Sequence, residues 1–229
     1  MCKRFIVVER TEVARIAAEI AEDLAAHAGE LGTLDPLASF RPFLSSPVPD
    51  APGTQREVFP QAVVPLIAPT GLEAQLALAD MIWGFEVSWK RGPVFNTRIE
   101  TALSNPECLW AESFARRRCI VPAWAFYESH ATETVCSLRS GKPVKRQYAF
   151  ERRDHAPLLL AAIHDHGRFS LVTTEPNAAV SPVHDRMPLV LNVYEATPWL
   201  CGDYRRLLDR SSVKLSATPE DLYTADTLY

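Results

Sequence analysis

From residue 56 to residue 173 the apolar residues come in a succession of short runs, each cut off by Pro, Gly or a polar cluster. That pattern constrains the fold more than any other feature of the chain. Runs this short, rich in β-branched and aromatic residues, are strands rather than helices. Strands are expected at 58–67, 76–87, 119–121, 124–128, 147–150, 158–163 and 169–173, with alternation at Leu76, Leu78 and Ile82 and a turn at Arg91-Gly92-Pro93. Two more are expected at 5–8 and at Leu189-Val190-Leu191. One long stretch repeats at helical spacing: Val13, Ile16, Ala17, Ile20 and Leu24 predict a helix over 12–28, with Thr11 as N-cap and Gly29 as stop. Shorter helices are expected at 99–104, 107–115 and 197–208. Many short strands with a few flanking helices indicate an α+β fold, predominantly antiparallel, whose sheet curls or closes like a barrel. Pro36, Pro42, Pro47, Pro49 and Pro52 make 33–54 a long irregular segment, of a length that tends to carry function.

At 229 residues the chain is expected to form a single domain over 1–229, with enough core to fold without a disulfide or a metal. Cys2, Cys108, Cys119, Cys136 and Cys201 are odd in number and hold no CxxC pair, which argues against a disulfide scaffold and against a Cys-rich zinc site. Reduced thiols in a cytoplasmic protein are the simpler reading. The first apolar run is too short for a secretory signal, and no stretch approaches a membrane span, so no membrane partner is expected. The net charge of −4 gives no sign of a polyanion partner, although a local basic groove can sit in an acidic protein.

Four places could carry chemistry. Cys2 is either a thiol at a frayed end or, once the initiator Met is removed, a rare 1,2-aminothiol. An α-amine (pKa about 7.7–8.0) and a thiol (about 8.5) are both partly nucleophilic near neutrality. Such a pair attacks a carbonyl with nitrogen and closes a five-membered ring with sulfur. In Asn96-Thr97-Arg98-Ile99-Glu100, strand alternation would put Asn96, Arg98 and Glu100 on one face, either as a solvated side or as a site in which Glu100 holds Arg98. Glu128 closes the aromatic run Trp124-Ala125-Phe126-Tyr127, where partial desolvation would raise its pKa and suit it to proton transfer; a surface glutamate is the alternative. His184, beside Asp185 and Arg186, is either an acid/base or a structural loop histidine. His164-Asp165-His166, followed by Gly167, fits a hairpin turn better than a metal site.

Three basic runs, Arg116-Arg117-Arg118, Lys142/Lys145/Arg146 and Arg152/Arg153, could contact phosphates or form solvated faces. Trp83, Phe85 and Trp89 could stack on exposed bases, with core packing as the competing reading for at least two of them.

Taken in order, Cys2, Arg4-Phe5, Ala51-Pro52-Gly53-Thr54, Trp83-Gly84-Phe85, Asn96-Thr97-Arg98-Ile99-Glu100-Thr101-Ala102, Phe126-Tyr127-Glu128 and His184-Asp185-Arg186-Met187-Pro188-Leu189-Val190-Leu191 resemble the SOS response-associated peptidase family over nearly the whole chain. Members of that family shield abasic sites in single-stranded DNA. The resemblance implies that Cys2, freed by Met removal, captures the ring-opened aldehyde of an abasic deoxyribose as a thiazolidine, with no cofactor. It assigns Asn96 to orienting the terminal amine, Glu128 and His184 to moving protons, and Arg4, Arg98 and Arg186 to DNA phosphates. The implied partner is single-stranded DNA with abasic sites, bound by a monomer. The family name also records an inferred cysteine-peptidase activity that removes Met1, which leaves autoproteolysis, or a DNA-binding paralogue without activity, as alternatives. Lys3, Val48-Pro49-Asp50, Ser129 and Asn105-Pro106 depart from the family pattern.

Overall fold

A computed structural model describes residues 2–27, 56–69, 76–105, 107–137 and 140–220. The Pro-rich segment, the Gly29 stop and the Ala51-Pro52-Gly53-Thr54 motif lie outside the described residues. The chain is mixed α and β, mostly strand, and nearly all strand pairs are antiparallel. Five strands pair in a closed circuit: β6 (Arg118–Cys136) with β8 (Leu158–Asp165), β8 with β9 (Arg168–Thr174), β9 with β4 (Leu76–Trp83), β4 with β3 (Val63–Pro69), and β3 back to β6 at Ile67 and Ile120. The curling expected from the sequence takes this form. Two pairings are parallel, β4 with β9 and β5 (Asn96–Arg98) with β9.

Side chains alternate across each strand, and both faces of this sheet are buried. Val64, Leu66, Cys119, Val121, Leu158, Leu160 and Ala162 pack in one cluster, whereas their neighbours Ile67, Ile120, Leu159, Ala161 and Ile163 pack in another. Double burial explains why these strands read as continuous apolar runs. The second cluster is covered by α1 (Arg10–His27), which lays Val13, Ile16, Ala17, Ile20 and Leu24 on it and turns Glu12, Arg15 and Glu19 outward as ion pairs. Each fully buried aliphatic side chain of this kind contributes about 1.5–3 kcal/mol. The helix starts before the expected cap: the Val13 amide donates to Glu9 O (2.9 Å), so Thr11 sits inside the first turn.

Other boundaries shift for identifiable reasons. The expected strand at 58–67 is two strands, β2 (Arg56–Val58) and β3, because Gln61 takes a positive φ of 79° and the chain turns there. The expected helix at 197–208 stops early: α4 covers Ala196–Cys201, Gly202 adopts a left-handed φ of 97°, and a 3-10 turn follows at Tyr204–Leu207. The two short strands foreseen at 119–121 and 124–128 are one, β6. Pro122 falls between its neighbours on one edge, after β3 at Ile120 and before β1 (Arg4–Val7) at Ala123, where a missing N–H breaks no pairing on that edge. Helices α2 (Ile99–Ser104) and α3 (Ala111–Arg116) flank the sheet. His166 and Gly167, both at positive φ, form the two-residue turn between β8 and β9 that the sequence suggested. Among the described residues no helix is long and apolar enough to cross a membrane.

Of the basic runs, Arg118 is a buried cap: its guanidinium donates to the carbonyls of Phe114, Ala115, Trp199 and Leu200. Arg117 pairs with Glu112, Arg146 with Glu133 and Arg152 with Asp154.

Candidate functional site

Cys2 is no frayed end. It is fully buried, in the same cluster as Phe5, Trp83 and Phe126. Strand pairing puts it there: β1 runs antiparallel to β6 in the register Arg4 to Tyr127 and Phe5 to Phe126, which carries the start of the chain past Tyr127 toward Glu128. Four separate segments meet at this point. Asn96, opening β5, donates Nδ2–H to the Cys2 carbonyl at 2.7 Å. Glu128 on β6 is 2% exposed, and its Oε2 lies 3.8 Å from His184 Nε2. Asn96, Glu128, His184 and Cys2 are thus gathered around one point from positions far apart in sequence.

The electrostatics differ at each group. Burial pushes the Cys2 thiol far above its ordinary value, and the Glu128 charge pushes it further. The resting sulfur is therefore a neutral thiol, donating weakly to Arg4 O (3.4 Å). Burial lifts the Glu128 carboxyl from 4.5 to about 7, so near neutrality it is poised between acid and base. Burial lowers His184 below 6.5, which leaves its ring mostly neutral at pH 7. His184 Nδ1 faces the Arg186 amide N–H (3.0 Å), the Arg186 carbonyl (3.1 Å) and Asp185 Oδ1 (3.1 Å). A donor and two acceptors around one ring nitrogen serve either protonation state, as a group that takes up and returns a proton requires. Asn96 Oδ1 is buried and accepts no hydrogen bond among the described residues, which leaves an acceptor beside the Cys2 backbone.

Several expected roles are corrected. Trp83 offers no face to a base: it is wholly buried against Phe5, Phe95 and Phe169, and its Nε1–H donates to Phe95 O at 2.9 Å. Phe85 is also buried and stacks on Trp110. Trp89 is 65% exposed. Glu100 does not hold Arg98, because α2 begins at Ile99 and ends the strand alternation. It grips Arg186 instead through two bonds of 2.9 and 2.8 Å, and Arg186 also donates to Thr173 O (2.9 Å). Arg186 is therefore a clamp that ties the His184 loop to β9 and α2, rather than a residue with a guanidinium to spare for phosphate. Arg98 is exposed.

Arg4 has company that sequence reasoning missed. Its guanidinium lies 3.6 Å over the Tyr127 ring and pairs with Glu220 (2.6 Å) and Glu57 (3.6 Å). The register of β1 with β6 is the signal that could have found Tyr127. Glu57 and Glu220 come from β2 and from just past the end of β12 (Leu215–Pro219), and nothing local in the sequence announces them. A pocket of about 210 Å³ opens beside these residues, lined by Lys3, Arg4, Phe59, Tyr127, Glu128, Ser129 and Gln147. Among the described residues no cluster of His, Cys, Asp and Glu is arranged to hold a metal ion.

A family model described as "SOS response associated peptidase (SRAP)" matches residues 1–224. Two curated relatives are the abasic site processing protein YedK of Escherichia coli, 25% identical over 139 residues, and the abasic site processing protein YoqW of Bacillus subtilis, 26% identical over 137 residues. The matched segments cover 56% and 54% of this chain and 57% of each relative, so the chain spans little more than half the length of the curated relatives it matches. Among solved structures, a protein from Bordetella bronchiseptica is 22% identical with a TM-score of 0.61, covering 96% of this chain and all of that one. A protein from Bacteroides thetaiotaomicron, at 18% identity and a TM-score of 0.60, covers 96% of this chain and 92% of that one. At those identities the likeness speaks for the fold.

Proposed function

Because this chain belongs to the SOS response-associated peptidase family, we propose that it captures abasic sites in single-stranded DNA as a covalent crosslink through Cys2. The observation that supports this most is the burial of Cys2 at the meeting point of Asn96, Glu128 and His184. A thiol held protonated by burial is a poor resting nucleophile, so the sequence of events starts from nitrogen.

Hydrolysis of the Met1–Cys2 bond first exposes the α-amine. Asn96 Nδ2 fixes the Cys2 carbonyl, and Asn96 Oδ1 accepts an N–H of that amine and aims its lone pair outward. The amine adds to the aldehyde of the ring-opened sugar, and loss of one water leaves an imine. His184, neutral at rest, takes up the protons that the amine sheds and hands them to the former carbonyl oxygen, which leaves as water. Sulfur then adds to the imine carbon as Glu128 takes the thiol proton and passes it to the former imine nitrogen, which closes a thiazolidine. The net change is one water released, with no oxidant or cofactor consumed. Exposed Arg98 and Trp89 would contact the DNA outside the reacting centre. The protonated, enclosed thiol weighs against a peptidase that cleaves other chains, which would need a thiolate open to substrate.

Intact mass and a denaturing gel test this reading together. Protein lacking Met1, mixed with an abasic oligonucleotide, should give a heat-stable shifted band without reductant, and Cys2→Ala should give none. A stable band from Cys2→Ala would remove the thiazolidine from the account. Losing the sulfur from a full core should also cost about 1 kcal/mol of stability, which a urea melt can check.

A further inference from the structure

The pocket beside Glu128 lies next to the reacting centre, yet none of the steps above uses it. Its charge identifies what it can hold. Lys3 and Arg4 look like phosphate ligands, but Arg4 is already paired with Glu220 and Glu57, and Glu128 lines the same space. Two cations among three carboxylates make a poor cradle for a phosphodiester, whose own charge would be added to that balance. What the walls offer is planar. The Arg4 guanidinium sits 3.6 Å over the Tyr127 ring, and a guanidinium can stack on a planar group. Phe59, 53% exposed, adds an aromatic ring to the lining. Ser129 and Gln147, bonded to each other at 2.6 Å, set a hydroxyl and an amide on the lining, the groups that meet the edge of a base.

We infer that this pocket is a subsite for one unpaired nucleobase, that of the nucleotide next to the abasic sugar on one side. This rests on the abasic-site reading. The pocket has room for one ring system beside Glu128. A base held there would fix the sugar-phosphate turn that delivers the neighbouring aldehyde to Cys2. Its contribution to binding would come from stacking and would be nearly independent of salt.

The test uses abasic oligonucleotides in which the base on the 5′ side, or the base on the 3′ side, is replaced by a tetrahydrofuran spacer. The spacer keeps the phosphates and has no aldehyde. Binding is measured with Cys2→Ala protein on strands whose abasic position is also a tetrahydrofuran, so that no imine can form, and crosslinking rate with the Met1-processed protein on the aldehyde strands. Deleting the base on one side should weaken binding roughly tenfold and deleting the other should change it little. In protein that also carries Phe59→Ala, both deletions should be equally harmless. Phe59 is exposed, so this change should leave the fold intact; Gln147→Ala serves as a second variant. Equal losses from both sides in both proteins would overturn the subsite. So would a Phe59→Ala defect that disappears at high salt, since that would mark the pocket as a phosphate site. If the unsubstituted protein crosslinks normally but ignores both flanking bases, the subsite fails while the capture chemistry stands. If it crosslinks no abasic strand at all, both fail.

Discussion

Glu128 and Glu195 are both removed from water, at 2% and 8% exposure, and the fold surrounds them differently. Glu195 is gripped by Arg210 through bonds of 2.8 and 3.0 Å and accepts the Asn192 amide at 2.7 Å. Its charge is matched by a rigid, planar fork of donors. Glu128 faces an imidazole at 3.8 Å, and its pKa rises to about 7. A carboxylate locked to a guanidinium holds structure together. One set beside a titratable ring, giving up its proton only near neutrality, is suited to chemistry, and burial alone does not tell the two apart.

The sharpest way to break the contrast is to make each glutamate neutral. Glu128→Gln should slow crosslinking by roughly 10²–10⁴-fold in single-turnover experiments, and His184→Ala by an amount within the same range. The unsubstituted rate should rise with pH through about 7 as Glu128 ionises, and Glu128→Gln should lack that limb. Glu195→Gln should leave the rate of the folded protein alone. In urea it should cost about 3–5 kcal/mol, because Arg210 is left buried without its counter-charge. Equal kinetic losses in the two variants would dissolve the distinction.

A smaller effect has the opposite sign. Folded Glu128 keeps its proton up to about pH 7, whereas an unfolded glutamate gives it up near 4.5. Across that window the unfolded state gains, so stability should fall as pH rises. The contribution is complete below pH 4.5 and lost above 7, about 3 kcal/mol in all. Chemical melts at pH 4.5 and 8 should show the drop in the parent and a much flatter profile in Glu128→Gln.

The smallest expected change concerns Arg98, which is exposed where Arg186 is clamped. Arg98→Ala should flatten the log–log salt dependence of single-strand binding by about 0.7. Arg186→Ala should act on crosslinking rate through His184 rather than on that slope.

Much of this was legible in the sequence, for physical reasons. The 3.6-residue period of α1 and the double-faced apolar runs of β8 and β9 survive because neighbours on each strand are buried alike. Glu128 was legible because an aromatic strand must desolvate whatever closes it. The failures came where long-range partners override local pattern. Nothing within 20 residues of Glu100 shows that its partner is Arg186, and alternation through 96–100 fails once α2 starts. Trp83 reads the same whether its ring faces a base or Phe169, since only the closing of the strand circuit decides which.

The pairing of β1 with β6 also sets a schedule. Phe5 meets Val58 on one side and Phe126 on the other, so the berth for the start of the chain is not complete until a partner about 120 residues downstream has been made. At about 5–20 residues per second, the first residues wait on the ribosome for a time of order ten seconds. During that wait the amino terminus is open to any processing enzyme that trims nascent chains; afterwards Cys2 is shut inside the core. For the proposed capture, which needs the Cys2 amine, the topology therefore places the easiest moment for Met1 removal early, before Cys2 is enclosed.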